Sequence, residues 1–128
     1  MSAAERLRTA VVADLGAVAG MTVFDAPPVR GAVPHAVVGE AMLTDWSGAA
    51  FTGREGRFAV TLTDEGEVPM RLRTLVAAVE DRLPEMARDL GGGWRIAALR
   101  LAGGRIRRER VRWTATVEFQ VRLYRAHA

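Results

Sequence analysis

Polar and apolar residues alternate almost without a slip from Val111 to Leu123. Val111, Trp113, Ala115, Val117, Phe119, Val121 and Leu123 fall on one side of the run. Arg112, Thr114, Thr116, Glu118, Gln120 and Arg122 fall on the other. A period of two held for thirteen residues predicts a long strand with a core face and a wet face. Arg57 to Thr63 repeats the pattern more briefly, with Phe58, Val60 and Leu62 inward and Arg57, Thr61 and Thr63 outward. His35 to Trp46 reads as a strand of imperfect alternation. Trp94 to Leu101 reads as another, whose apolar phase shifts between Ile96 and Leu99 as at a bulge. Val23-Phe24 adds a short strand.

Elsewhere the period is helical. Leu7, Val11, Leu15 and Val18 recur at helical spacing through about Ala19, and Gly20 is placed as a stop. Ser2-Ala3-Ala4-Glu5 ahead of them fits a capping box, in which each end residue satisfies the other's backbone N–H. Leu72, Leu75, Val76, Val79 and Leu83 form the stripe of a second helix that covers one side of a sheet. Pro69 fits its first turn, Pro84 ends or kinks it, and Gly91-Gly92-Gly93 stops what is left.

The connections follow from the remainder. Asp25 to Pro34 is a proline-rich loop that cannot supply a regular ladder. Ser47 to Gly56 reads as a flexible loop joining two strands of a hairpin, and Asp64 to Glu67 as a turn. Ala102-Gly103-Gly104 is a short link between the last two strands. The predicted order is α-β-β-β-α-β-β. The class is α+β, a mainly antiparallel sheet covered by two amphipathic helices that share its apolar face. Residues 1–128 are expected to form a single domain, long enough to bury about two-thirds of its unfolded surface.

Composition removes whole classes of chemistry. Cysteine is absent, which excludes disulfides, thiolate catalysis and Cys-type zinc sites. Lysine is absent too; all eighteen basic residues are arginine, so a Walker-type phosphate loop and Schiff-base chemistry are excluded. The high isoelectric point reflects arginine's pKa, since the formal net charge is only +3. No apolar run approaches the roughly 20 residues of a membrane span. No separate apolar segment with a cleavage site marks the N-terminus, so synthesis in the cytoplasm is expected.

Candidate chemistry is thin. His35, Asp45 and Ser47 have no nucleophile elbow around them and read as strand-end and turn residues. His127, one residue from the terminus, is expected to fray, and Glu40 to face solvent or a neighbouring subunit from within a strand. Gly91-Gly92-Gly93 follows a helix and so cannot present a helix N-terminus to a phosphate. Trp113 belongs to the core face, Trp94 sits at a strand end, and Trp46 is open to either packing or stacking. No catalytic residue, cofactor site or metal site is assigned.

One segment stands apart. "GGRIRRERVRWT", residues 103–114, packs Arg105, Arg107, Arg108, Arg110 and Arg112 into eight positions. Carried backwards, the period of the final strand places Glu109, Arg107 and Arg105 on the face of Val111 and Trp113. Charges cannot sit in an apolar core, so the strand must leave the core near Val111. Arg108 and Arg110 then point the other way, at the tip of a charged hairpin arm. Its environment is solvent, an acidic surface on a neighbouring protein, or DNA.

Read in order, an N-terminal amphipathic helix leads to "VFDAPPVRGAVPHAVVGEAMLTDWS". "GRFAVTLTDEG", the helix "MRLRTLVAAVEDRL" and "GWRIAALRLAGGRIRRERVRWTATVEFQVRL" follow. Together they resemble the small tail-completion, or tail terminator, proteins of long-tailed bacteriophages, in the form found in gene transfer agents and prophages. The resemblance runs over roughly residues 5 to 125. Its marks are Pro34 before the second strand, Gly39 through Thr44-Asp45-Trp46, the second helix and the long C-terminal strand pair.

The resemblance implies a non-enzymatic structural role in a virion or phage-like particle. Such proteins form rings, typically of six subunits, that cap the finished tail tube and offer a surface to the head-side connector. The implied partners are further copies of the chain, the tail tube protein and the connector or stopper. DNA passes transiently through the channel, and no membrane is involved. The arginine-rich segment is denser than the family pattern requires. The candidate assembly interface is Arg105, Arg107, Arg108 and Arg110, with Trp46, Phe51 and Arg54. The competing readings are a connector or stopper, a small nucleic-acid-binding α+β domain, and a dimeric domain holding a small molecule between helix and sheet.

Overall fold

The computed structural model describes residues 1–127. Helix α1 (Ala3–Leu15) opens on the expected capping box: the Ser2 hydroxyl accepts from Glu5 N at 3.1 Å, and the Glu5 carboxylate accepts from Ser2 N at 3.3 Å. Leu7, Val11 and Leu15 are its buried stripe. It stops at Leu15, one turn short of the expected Ala19, and Gly16 to Val18 continue only as turns. Helix α2 (Met70–Arg82) buries Leu72, Leu75 and Val79. Pro69 stands at its N-cap position without a side-chain cap bond, and Pro84 converts its continuation into a 3-10 turn, Leu83–Glu85, with Leu83 still in the core.

Seven strands make one sheet: β1 (Thr22–Phe24), β2 (His35–Val38), β3 (Met42–Asp45), β4 (Phe51–Glu65), β5 (Asp89–Gly91), β6 (Trp94–Glu109) and β7 (Arg112–Ala126). They lie in the order β1-β2-β4-β7-β6-β5, with β3 also on β4. Only β1 and β2 are parallel. β2 and β3 share one edge of β4: β2 pairs with Val60–Thr63, and β3 with Arg54–Arg57. The central pair is β4 and β7, which places Phe58, Val60 and Leu62 opposite Phe119, Val117 and Ala115. The Phe58 and Phe119 rings stack at 5.4 Å, and Phe119 is fully buried, a contribution of about 1.5–3 kcal/mol from area alone. Both helices contribute to the same core cluster on this face, as the shared apolar phase predicts. Among the described residues the opposite face carries no helix.

The expected element order and the α+β class are observed, with two details added. The strand expected at 35–46 is split at Gly39–Ala41, which places Glu40 in the break rather than within a strand, and a three-residue β5 precedes β6. Three local expectations are overturned. Residues 51–56 are not loop: they are the first part of β4, held by β3 on one side and β7 on the other. Gly91, Gly92 and Gly93, all at positive φ, turn the β5–β6 hairpin rather than stop a helix, which has already ended at Arg82. Such backbone is open to glycine and strained for other residues.

The third correction concerns the arginine segment. The turn between the last two strands is not at Ala102-Gly104 but at Arg110-Val111, because β6 runs on to Glu109, which pairs with Arg112. Arg105 and Arg107 therefore belong to β6, opposite Thr116 and Thr114 on the polar face. Arg108 lies opposite Trp113 on the helix side. The expected assignment of faces is inverted, since the chain reverses direction inside a run whose alternation predicts one continuous strand. The charged run is exposed from Gly104 to Arg112, but it is an edge of the sheet, paired through β7 with the Val60–Glu65 end of β4, and only the Arg110-Val111 turn passes beyond that end.

Candidate assembly surface

The seven candidate interface residues fall into two groups at opposite ends of β4. β4 spans fifteen residues, so its ends are separated by about 45 Å. Arg105, Arg107 and Arg108 lie across β7 from Thr61, Thr63 and Asp64, at the Glu65 end of β4, and Arg110 turns the arm just past it. Trp46, Phe51 and Arg54 gather near the Phe51 end. The molecule does not bring the seven into one site.

The arm is anchored to the link between β4 and α2. Gly66 N donates to Val111 O at 2.9 Å, and Trp113 Nε1 donates to Gly66 O at 3.0 Å. The Arg108 guanidinium lies over the Trp113 ring, 5.0 Å from its centroid, and its Nε donates to Arg110 O at 2.7 Å. Arg110 has φ +59°, at the first of the two turn positions, where a hairpin of this length favours glycine. At the base of the arm Asp64 is buried and receives two bonds from Arg71 in the first turn of α2, at 2.8 and 2.5 Å. Hydrogen bonding by the Arg71 side chain is the main cause that holds its carboxyl below the usual carboxylate range; burial opposes it, and the Glu65 backbone N–H assists.

At the other end Trp46 and Phe51 pack ring to ring at 5.3 Å, and Phe51 meets Tyr124 edge-on at 6.4 Å. Arg122, salt-bridged to Glu55 at 2.9 Å, caps Trp46 at 4.9 Å. Arg54 instead lies opposite Leu123 on the helix side, bonded to Asp45 at 3.2 Å and 6.0 Å from Trp94. Trp46, Trp94 and Trp113 thus each have an arginine over the ring, and a stacked base would have to displace it. Arg122 and Tyr124 were not singled out from the sequence. Their signal was present in the wet phase of the final strand, which places them beside residues of β4.

His35, Asp45 and Ser47 are not assembled. Ser47 Oγ donates to Asp45 Oδ1 at 2.5 Å and accepts from Gly53 N at 3.0 Å, closing the β3–β4 turn. His35 lies opposite Thr63, nine β4 positions from Arg54, the partner of Asp45, or about 30 Å along the strand. It is buried, packs edge-on against Phe24, and bonds Ala32 O through Nδ1 at 3.1 Å. His127 is not frayed: its backbone N donates to Ala50 O at 2.9 Å, and Nε2 lies 3.0 Å from Thr52 Oγ1. Glu40 is exposed, 3.7 Å from Arg8.

Two of the surface hollows adjoin these residues. One, of about 560 Å³, lies on the bare polar face and is lined by Thr44, Glu55, Arg57, Arg100, Gln120 and Arg122. The other, of about 640 Å³, lies under the proline-rich loop between Arg8, Asp25, Arg30 and Thr61. Among the described residues no cluster of three or more His, Asp or Glu side chains could hold a metal. No helix of the described residues is long and apolar enough to cross a membrane.

The comparisons bear on this geometry. The family model described as "Tail completion protein gp17" matches residues 5–124. A chain of the solved structure "Virion of native gene transfer agent (GTA) particle" superimposes with a TM-score of 0.82. It is 24% identical, and the match covers 97% of this chain and 99% of that one. At that identity the likeness is one of fold. No curated protein matches the sequence.

Proposed function

From the premise that this chain belongs to the tail completion protein gp17 family, we propose that it is the tail terminator subunit of a phage-like particle. In this reading residues 1–128 act as one domain. Copies of it form a ring of six that caps the tail tube and offers the head-side connector its docking surface. The role is structural, not enzymatic. It is made in the bacterial cytoplasm and resides in the tail or neck of the particle, with DNA passing through the channel.

The observation that carries this reading is the extent of the family match, 120 residues from the first turn of α1 to two residues before the end of β7. The likeness to a chain of a gene transfer agent virion, over nearly the full length of both, supports it from the fold. So does the shape. A seven-stranded sheet with its helices on one face and a charged, exposed edge hairpin offers the extended surfaces that a closed ring uses, where each interface is repeated by symmetry.

The test is loss of the chain in cells that make the particle. Tails lacking the ring, of uncontrolled length and unjoined to heads, are expected by negative-stain microscopy. Normal head-joined tails would overturn the proposal. Tubes that end normally but lack a connector contact would move the chain to the stopper position.

A further inference from the structure

The two ends of this molecule differ in charge. Residues 100–112 hold six arginines and one glutamate, a formal +5 in a chain of +3, so the rest of the molecule is −2. The arm is also apolar along one side: Leu101, Ile106 and Val111 are 43%, 37% and 58% exposed. Val68 and Met70, in and just after the link that anchors the tip, are exposed as well. Apolar side chains rimmed by arginine form the composition of a protein-binding patch. Among the described residues β6 has a backbone partner on its outer side only near its start, from β5 and from Arg88 O, which accepts from Ile96 N. From Ala98 to Glu109 that edge is open.

The diagonally opposite corner exposes two carboxylates, Glu40 with Arg8 at 3.7 Å and Asp45 with Arg54 at 3.2 Å. β3 pairs with the start of β4 on the side away from β7, whereas the arm stands at the end of β4 on the β7 side. The outer edge of β3 is open among the described residues. Met42 is 76% exposed there, between Glu40 and Asp45, whose side chains are 80% and 74% exposed. No copy can bring its arm to its own β3. A rotated neighbour can, and repetition of such a head-to-tail contact generates a ring when the rotation closes.

We propose that the arm of one copy docks on the β3 edge of the next, with Arg105 and Arg107 facing Glu40 and Asp45 and with Ile106 against Met42. The proposal rests on the ring reading above and specifies its contact. Open edges invite indiscriminate pairing. The bulges at Ile96/Ala98 and Leu101/Gly103 and the arginines that follow them restrict this edge to a partner of opposite charge.

The test uses the full chain and reads assembly by light-scattering mass and negative stain, on tail tubes where the parent needs them. Arg105→Glu/Arg107→Glu and Glu40→Arg/Asp45→Arg should each raise the concentration needed for rings about tenfold or more, and a 1:1 mixture should restore it. Alternating copies then pair reversed arm with reversed edge. The absence of cysteine allows a second readout that changes no charge. Met42→Cys mixed with Ile106→Cys should give a mixed disulfide dimer on oxidation, and neither variant alone should. Rings at parental concentration from either charge variant, a mixture that stays dissociated, or no mixed crosslink overturns this contact while the ring reading survives. A parent that forms no ring, alone or on tubes, overturns the ring reading itself.

Discussion

Asp64 shows how one side chain ties the arm to the core. It faces Trp113 across the β4–β7 ladder and is almost closed to water, so its charge persists through the paired bonds from Arg71. Its folded pKa lies below the ordinary value. The stability it contributes is therefore present above the unfolded pKa, about 3.9, and is lost as pH falls through the folded value. Asp64→Asn should cost about 1–2 kcal/mol at neutral pH, the lower part of the range for a charged bond because Arg71 is solvated. Denaturant titrations at pH 7 and pH 3 check this: the gap between parent and variant should narrow at the acid end. Arg110 offers the opposite case. Its positive φ strains a side-chain-bearing residue, so Arg110→Gly should raise stability by about 1 kcal/mol, read as an increased unfolding midpoint.

At the scale of elements, β4 is the strand that organises the fold, and its glycines explain why its first part escapes notice in the sequence. A Cβ on Gly56 would run into the Met42 carbonyl, and one on Gly53 into that of Trp46. β3 approaches β4 closely because these side chains are missing. Gly56→Ala should separate the two strands and cost about 1–3 kcal/mol, with exchange of the β3 amides rising first. The same missing side chains erase the alternation from 51 to 56, so pattern reading sees a glycine loop where both neighbours impose strand. Where side chains report their burial, as at Phe58 to Leu62 and Ala115 to Leu123, the faces were legible to the residue. Both helix stripes were legible for the same reason, and so was the bulge after Ile96. The turn at Arg110-Val111 was not: no glycine marks it, and a two-residue reversal keeps the count of alternating positions unbroken. The existence of a charged arm could be read, but which arginine faces which side could not. The exposed carboxylates of the β3 corner escaped because Glu40, Met42 and Asp45 read as one strand with His35.

For the whole molecule, burial is graded from the centre of the sheet outward. β4 and β7 have partners on both sides and residues closed to water along their middle, whereas β6 beyond Leu101 has a partner only in β7 and no helix above it. Opening free energies should follow that order, since a segment opens alone when little apolar contact is lost with it. Hydrogen exchange of the dissociated subunit should find the β4–β7 amides around Val60 and Val117 slowest. The outward amides of Gly104 to Glu109 should exchange fast, although their φ and ψ are those of strand. Val117→Asp places an unpaired charge at the slowest point and should abolish folding, read as loss of the cooperative transition. Arg107→Glu/Arg108→Glu/Arg110→Glu changes only the exposed tip. It should keep the unfolding midpoint within a few degrees while weakening the assembled state, with an association that falls steeply with salt in the parent and little in the variant. The two outcomes separate the body that folds alone from the arm, whose apolar stripe and charges are fully used only against a partner. Slow exchange of Gly104 to Glu109 in the dissociated subunit would contradict that division.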